Sequence, residues 1–275
     1  MYDVGRLPFK GKLLVTDMDG TLLDSGSRIS KKNKEAIAGF IDGGGLFTVA
    51  TGRVERSVRS YLPDIALNVP AILYNGAVIY DFESGKLLWR DDLPEEVIEP
   101  VKLIIERFPG IGTQIYNGGK TYFVRQNEYT LEHMAREHYI PVIAEIEEIP
   151  RPWHKVLLSW DPGKLREVEE FLKDFSDLFR YTYSEPQFLE ILNNTASKGG
   201  ALKVLTRLSG ISDFCVIAMG DNLNDLELIK EADIGIAVEN AHSALKDAAD
   251  ICCGHHDRDA VSEVIKWIEE GKIVC

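Results

Sequence analysis

Two aspartates flank a single residue in Asp17-Met18-Asp19-Gly20-Thr21, directly after the short apolar run Leu13-Leu14-Val15-Thr16. Paired carboxylates at a chain turn can divide the work of nucleophile and proton carrier, or can hold a hard cation. Gly20 permits the tight turn that such a pair needs. Three more segments carry groups suited to the same chemistry. Thr51-Gly52-Arg53 offers a hydroxyl and backbone N–H groups to an anion. Ser197-Lys198-Gly199-Gly200 places a lysine where a helix begins. Gly220-Asp221-Asn222-Leu223-Asn224-Asp225 supplies a further carboxylate, with Asn224 and Asp225 one helical turn on. Taken singly, each has an ordinary explanation: a turn, a threonine cap, a solvated lysine, an N-cap box. Their conjunction in this order describes a site for a phosphate group and a cation.

The elements that must position these residues follow from apolar periodicity. The runs 13–16, 46–50 and 71–74 are apolar nearly throughout, as strands buried on both faces are. Ser30 caps a helix bearing Ile37, Phe40 and Ile41, which Gly43 to Gly45 ends. The rhythm returns with strands at 214–219, 234–238 and 251–253 and helices at 222–232 and 241–249. A last helix carries Val261, Val264, Ile265 and Ile268 on one face. This predicts an α/β fold with a parallel sheet, and such sheets bind ligands at the carboxyl ends of their strands. Between about Asp81 and Pro186 the pattern becomes mixed α+β. It has helices at 94–108, 129–138 and 164–175 and a hairpin about Asn117-Gly118-Gly119. Strands are expected there at 155–160, 179–183 and 188–192. The expected organisation is a core from residues 1–81 and 187–275 with an inserted domain at 82–186.

Composition narrows the partners. A chain of 275 residues with 45% hydrophobic residues can bury a sizeable core. A net charge of −13 repels nucleic acid and anionic membranes, so positive charge for a phosphate ligand must be local. Met1 to Lys12 has no apolar signal core, and no run approaches the ~20 apolar residues of a membrane helix. Cys215, Cys252, Cys253 and Cys275 lack both metal-ligand and disulfide-framework spacing. A cytoplasmic protein with free thiols is expected, with neither nucleic acid nor membrane as partner.

The four segments DMDGT, ATGR, SKGG and GDNLND resemble those of the haloacid dehalogenase superfamily, specifically its Cof-type phosphatases with a large inserted cap. Tyr74-Asn75-Gly76-Ala77 and Ala237-Val238-Glu239-Asn240-Ala241 are smaller echoes. Glu239, where many relatives have glycine, and the charged run His255-His256-Asp257-Arg258-Asp259 depart from the pattern. The resemblance implies a Rossmann-like core with an α+β cap that sets selectivity, and Mg²⁺-dependent hydrolysis of a small phosphomonoester. By the same resemblance Asp17 is the nucleophile, forming an aspartyl-phosphate, and Asp19 the acid and base. Mg²⁺ would be held by Asp17, the Asp19 carbonyl and Asp221. The Met18 amide, Thr51, Gly52, Lys198 and Asn224 would hold phosphoryl oxygens. Asp225 would orient Lys198 or a water, and Arg53 would reach substrate or cap the site. Two alternatives share the motifs. A phosphomutase of the superfamily generally has a small helical cap, and a phospho-accepting signalling module needs only a short chain.

Overall fold

The computed structural model describes residues 7–137 and 140–274, which divide into two compact units. The first comprises Met1–Gly52, Val58–Leu88 and Ser197–Cys275, and the second Arg53–Ser57 and Trp89–Ala196. The first unit is built on a five-stranded sheet, in the order Ile251–Cys252, Ile234–Ala237, Cys215–Gly220, Lys12–Thr16, Leu46–Val49. All its neighbours run parallel. Leu13, Leu14, Val15, Phe47 and Ile217 are fully buried, as a sheet covered on both faces requires. The helix Lys31–Asp42 packs with Ala260–Glu269, and Lys198–Leu208 with Leu226–Glu231. Ser30 Oγ accepts from the Asn33 N–H at 3.1 Å and Ser197 Oγ from the Gly200 N–H at 3.0 Å, so the serines fix where two of these helices start.

Residues 71–74 do not simply extend the parallel sheet. Ala71–Leu73 pairs antiparallel with Val78–Asp81, and Lys86–Arg90 completes a separate three-stranded sheet. The bridge of Ala50 with Ile72 continues the parallel order. The sharp return after Leu73 runs through Tyr74, Asn75 and Gly76, all at positive φ. A Cβ on Gly76 would lie 2.1 Å from the Ser197 carbonyl oxygen, so only glycine fits.

The second unit holds a six-stranded sheet in the order Arg180–Glu185, Phe188–Leu192, Lys155–Ser159, Gly112–Asn117, Lys120–Arg125, Val142–Ile143. It is antiparallel except for the last pair. One face gives Ile115, Val156, Leu158, Leu189 and Ile191 to an apolar core shared with helices Ile98–Arg107 and Pro162–Leu172. Gln114, Tyr116, Lys155 and Glu190 alternate with those residues and are buried too. The compact units divide at 88/89 and 196/197, not at the expected 81/82 and 186/187; the later shift follows from Phe188–Leu192 hydrogen-bonding to Lys155–Ser159, inside the second unit's sheet. Helix 129–138 is observed as Glu128–Glu137, its expected last residue lying outside those described. Helix 222–232 is a 3₁₀ turn at Leu223–Asp225 followed by Leu226–Glu231. Cys215 is disulfide-bonded, against the expectation of four thiols, whereas Cys252 and Cys253 are free. Among the described residues no helix is long and apolar enough to cross a membrane.

Candidate active site

The two central strands, Lys12–Thr16 and Cys215–Gly220, run side by side and end together. Their parallel register delivers Asp17 and Asp221 to the same edge of the sheet, where the Asp17 N–H still donates to the Met219 carbonyl at 2.9 Å. Beyond Asp17 the chain turns through Met18–Leu22, with Asp19 extended and Gly20 at φ 73°. A Cβ on Gly20 would stand 2.4 Å from Asp221 Oδ2. Glycine is therefore demanded twice, by the backbone and by the carboxylate it admits.

Lys198, fully buried at the start of its helix, reaches across from behind. Its Nζ donates to Asp17 Oδ1 at 2.7 Å and to Asp225 Oδ1 at 2.5 Å. The other oxygen of Asp225 accepts from the backbone N–H groups of Asp221 and Asn222 at 2.9 and 3.1 Å. Asp225 thus spends both oxygens on holding Lys198 and the Asp221 turn. Asp17, Asp221 and Asp225 can present carboxylate oxygens within 4.8 Å of one another.

The charges do not balance. Three carboxylates, those of Asp17, Asp221 and Asp225, cluster about one buried lysine. Burial pushes Asp17 up to about 7, opposed by Lys198 and reinforced by Asp225 and Asp19. Burial, then the Asp17 and Asp225 charges, push Asp221 up to about 9. Lys198 is held above its ordinary range: burial opposes its charge, but Asp17 and Asp225 outweigh that. An excess of desolvated carboxylate oxygen, with no imidazole or thiolate among it, fits a hard divalent cation. With Asp225 committed elsewhere, the members of that cluster with oxygen left for such an ion are Asp17 and Asp221.

The remaining expected residues fall in different places. Thr51 follows the strand Leu46–Val49, but its backbone N–H is committed to the Ile72 carbonyl at 2.9 Å, so that amide is not offered to an anion. Gly52 packs on Asn75, whose Nδ2 would be 3.0 Å from a Cβ there. Asn75 Oδ1 also accepts from Asn224 Nδ2 at 3.0 Å, while Asn224 Oδ1 is buried without a hydrogen-bond partner. Arg53 begins the short segment Arg53–Ser57 that belongs to the second unit. Within the second unit its Nη1 meets Glu137 Oε1 at 2.9 Å and Ser57 Oγ at 2.7 Å, and the Arg53–Glu137 pair is buried. Met18 is buried, and its carbonyl accepts from the Leu23 N–H at 2.8 Å, closing the turn. Sequence reasoning did not give Asn75 its bridging place or Asn240 its contact, Nδ2 donating to the Gly20 carbonyl at 2.8 Å. The segments containing them were visible as echoes of the family pattern, but not these long-range bonds.

A family profile described as haloacid dehalogenase-like hydrolase matches residues 14–265. A 5-amino-6-(5-phospho-D-ribitylamino)uracil phosphatase of Bacillus subtilis (strain 168) is 30% identical over 95% of this chain and 99% of its own length. A pyridoxal phosphate phosphatase of Escherichia coli (strain K12) is 26% identical, covering 92% of this chain and 97% of its own. A haloacid dehalogenase-like hydrolase from Bacteroides thetaiotaomicron has a solved structure that superposes with a TM-score of 0.81 at 31% identity. That match covers 94% of this chain and 99% of the other. The chain belongs to the haloacid dehalogenase superfamily, among its Cof-type phosphatases. Its reaction class is phosphoric monoester hydrolysis.

Proposed function

We propose that this protein is a Mg²⁺-dependent phosphatase that hydrolyses a small phosphorylated metabolite through an aspartyl-phosphate on Asp17. The carrying observation is the charge imbalance at the sheet edge: the three clustered carboxylates of Asp17, Asp221 and Asp225, one buried lysine, and Asp17 held by that lysine at 2.7 Å. Asp17 attacks phosphorus, and its contact with Lys198 fixes the carboxylate's orientation for that attack. Asp19 protonates the leaving alkoxide and then deprotonates the water that cleaves the intermediate. Lys198, the Met18 amide, the Thr51 hydroxyl, Gly52 and Asn224 stabilise the transferring phosphoryl group, a reaction in which positioning and electrostatics dominate. Asp225 keeps Lys198 charged and aimed. Mg²⁺, held by Asp17, Asp221 and the Asp19 carbonyl, supplies charge neutralisation for carboxylates and phosphate alike.

The second unit is the selectivity cap in this reading. The relatives' substrates, a ribitylaminouracil phosphate and pyridoxal phosphate, place phosphorylated polyols and cofactors first for trial. The test is phosphate release from a generic aryl phosphate and then from a panel of such metabolites. Activity should disappear in a chelator and return with Mg²⁺. Full activity in chelator, or none on any phosphomonoester with Mg²⁺ present, would overturn the reading.

A further inference from the structure

The turn that carries Asp19 is held from outside itself. Gly20 sits at φ 73° and contributes no side chain, so the turn is freest to rotate at the peptide that follows Asp19. The Gly20 carbonyl accepts from Asn240 Nδ2 at 2.8 Å, across 220 residues of sequence. Asn240 Oδ1 in turn accepts from the His256 N–H at 3.1 Å. The two contacts fix the orientation of the Asn240 amide. One partner can only accept and the other can only donate, so a flipped amide would lose both bonds. His256 acts a second time through its ring. Nδ1 lies 2.7 Å from the Leu23 carbonyl, an acceptor only, so this nitrogen carries the proton and donates it. Asn240 and His256 thus grip the turn Met18–Leu22 just beyond Asp19 and again at its exit. Asp257, next along the loop, accepts from the Ser25 N–H and Oγ at 2.7 Å each, so the same loop follows the segment past the turn.

We infer that Asn240 and His256 are positioning residues for proton transfer by Asp19. The inference rests on the acid and base role proposed above for Asp19. Asp19 lies close enough to Asp17 for the two charges to oppose each other, so repulsion works against keeping both carboxylates at one site. The backbone must supply the restraint, and Gly20 supplies little of its own. Asn240 holds the Gly20 peptide and so limits the torsions from which the Asp19 side chain projects. Proton transfer needs that carboxyl within hydrogen-bond reach of the leaving oxygen. A misplacement of about 1 Å can cost about 10²-fold in rate. Asp17 does not depend on this grip in the same way. Its N–H donates to the Met219 carbonyl at 2.9 Å and its carboxylate accepts from Lys198 at 2.7 Å. Loosening the grip therefore impairs proton transfer and largely spares nucleophilic attack.

The experiment compares kcat/KM for 4-nitrophenyl phosphate and phenyl phosphate, with the full chain at saturating Mg²⁺. The esters differ by one nitro group: nitrophenolate departs as an anion, whereas phenolate needs the proton. Because kcat/KM covers the steps up to the phosphoryl-enzyme, slow hydrolysis of that intermediate does not mask the difference. Asn240→Ala should lower kcat/KM for phenyl phosphate by at least about tenfold and for 4-nitrophenyl phosphate by no more than about threefold. His256→Leu should move the ratio in the same direction. His256→Asn, whose amide N–H can stand in for Nδ1–H, should keep the ratio of the wild type. Melting curves check that each variant is folded, and either of Asn240→Ala and His256→Leu decides the matter if the other does not fold. Equal loss on both esters, the mark of general support for the fold, would overturn the inference, as would no loss on either. Asp19→Asn distinguishes this from failure of the underlying reading. Selectivity against phenyl phosphate in Asp19→Asn, without it in the Asn240 and His256 variants, removes the positioning role alone. Absence of that selectivity in Asp19→Asn removes the acid role of Asp19 and the inference with it.

Discussion

Among the described residues two lysines are buried, and their surroundings differ. Lys198, in the first unit, lies against Asp17 and Asp225, with Asp19 close enough to raise Asp17 and Asp17 close enough to raise Asp221. Lys155, in the second, meets Glu190 at 2.8 Å and stands 4.8 Å from the centre of the Tyr116 ring. The charges of the second pair cancel. Those of the first cluster do not, and among the described residues only Asp17, Asp221 and Asp225 form an all-carboxylate group able to hold a metal. Burial of unmatched charge is expensive, so a fold that retains it needs a compensating ligand. A matched pair asks for nothing further and can serve packing or hydrogen-bond specificity.

The largest effects should come from the unmatched cluster. Asp17→Asn replaces the nucleophile with an amide and removes a cation ligand, so turnover should fall by more than ~10⁴-fold. Acid quench with labelled substrate should leave no phosphoryl-enzyme. Label on Asp19, or on a histidine, serine or cysteine of the unmutated protein, would show the nucleophile assignment to be mistaken. Asp19→Asn keeps the backbone carbonyl but loses the proton shuttle. With a substrate whose leaving group needs protonation, the first step should slow by roughly 10²–10⁴-fold. With an activated aryl phosphate the first step should suffer less, and label should build up on Asp17. Equal slowing on both substrates would remove Asp19 from the acid role.

What could be read in advance was what the chain carries locally. The strand ends at Asp17 and Gly220 were legible because apolar runs stop there at short polar motifs, and the parallel sheet follows from the β-α rhythm around them. Asn75 was harder. Its Asn-Gly signature marks a turn, but its bond to Asn224 spans 149 residues of sequence and depends on two strand ends meeting. The Thr51 amide shows the same limit: next to a glycine it looks available until Ile72 of another strand takes it. The antiparallel strands Val78–Asp81 and Lys86–Arg90 were absorbed into a presumed junction, because four- and five-residue strands around a Glu-Ser-Gly turn carry little periodicity. Arg53 stands beside the motif in sequence, and its pairing with Glu137 is one that no local pattern announces.

Stability offers a quieter contrast between the two lysines. Lys198→Met strands Asp17 and Asp225 in the interior without their counter-charge and should cost about 3–5 kcal/mol. Denaturant titration in chelator measures it. Removing Asp225 as well, in Lys198→Met/Asp225→Leu, should not restore the loss, because Asp17 remains buried and Asp225 no longer secures the amides of Asp221 and Asn222. Mg²⁺ should recover part of the stability of Lys198→Met, since it supplies positive charge to the same carboxylates.

The smallest effect belongs to the matched pair, and it is the one that most sharpens the comparison. Lys155→Met alone should cost a similar ~3–5 kcal/mol, because Glu190 is left charged at 3% exposure. In the double variant Lys155→Met/Glu190→Leu both charges go and apolar side chains of similar length take their places. Such replacements are often neutral or stabilising, so the midpoint should return to within about 1 kcal/mol of the wild type. The Tyr116 ring loses a cation at its face, a contribution of about 0.5–2 kcal/mol that sets the scale of any residue left over. Mg²⁺ should change neither variant relative to the wild type. If the double variant stays as unstable as the single one, Lys155 and Glu190 are bound into a wider polar network. The distinction between a self-sufficient pair and a ligand-demanding cluster then fails on the second unit's side.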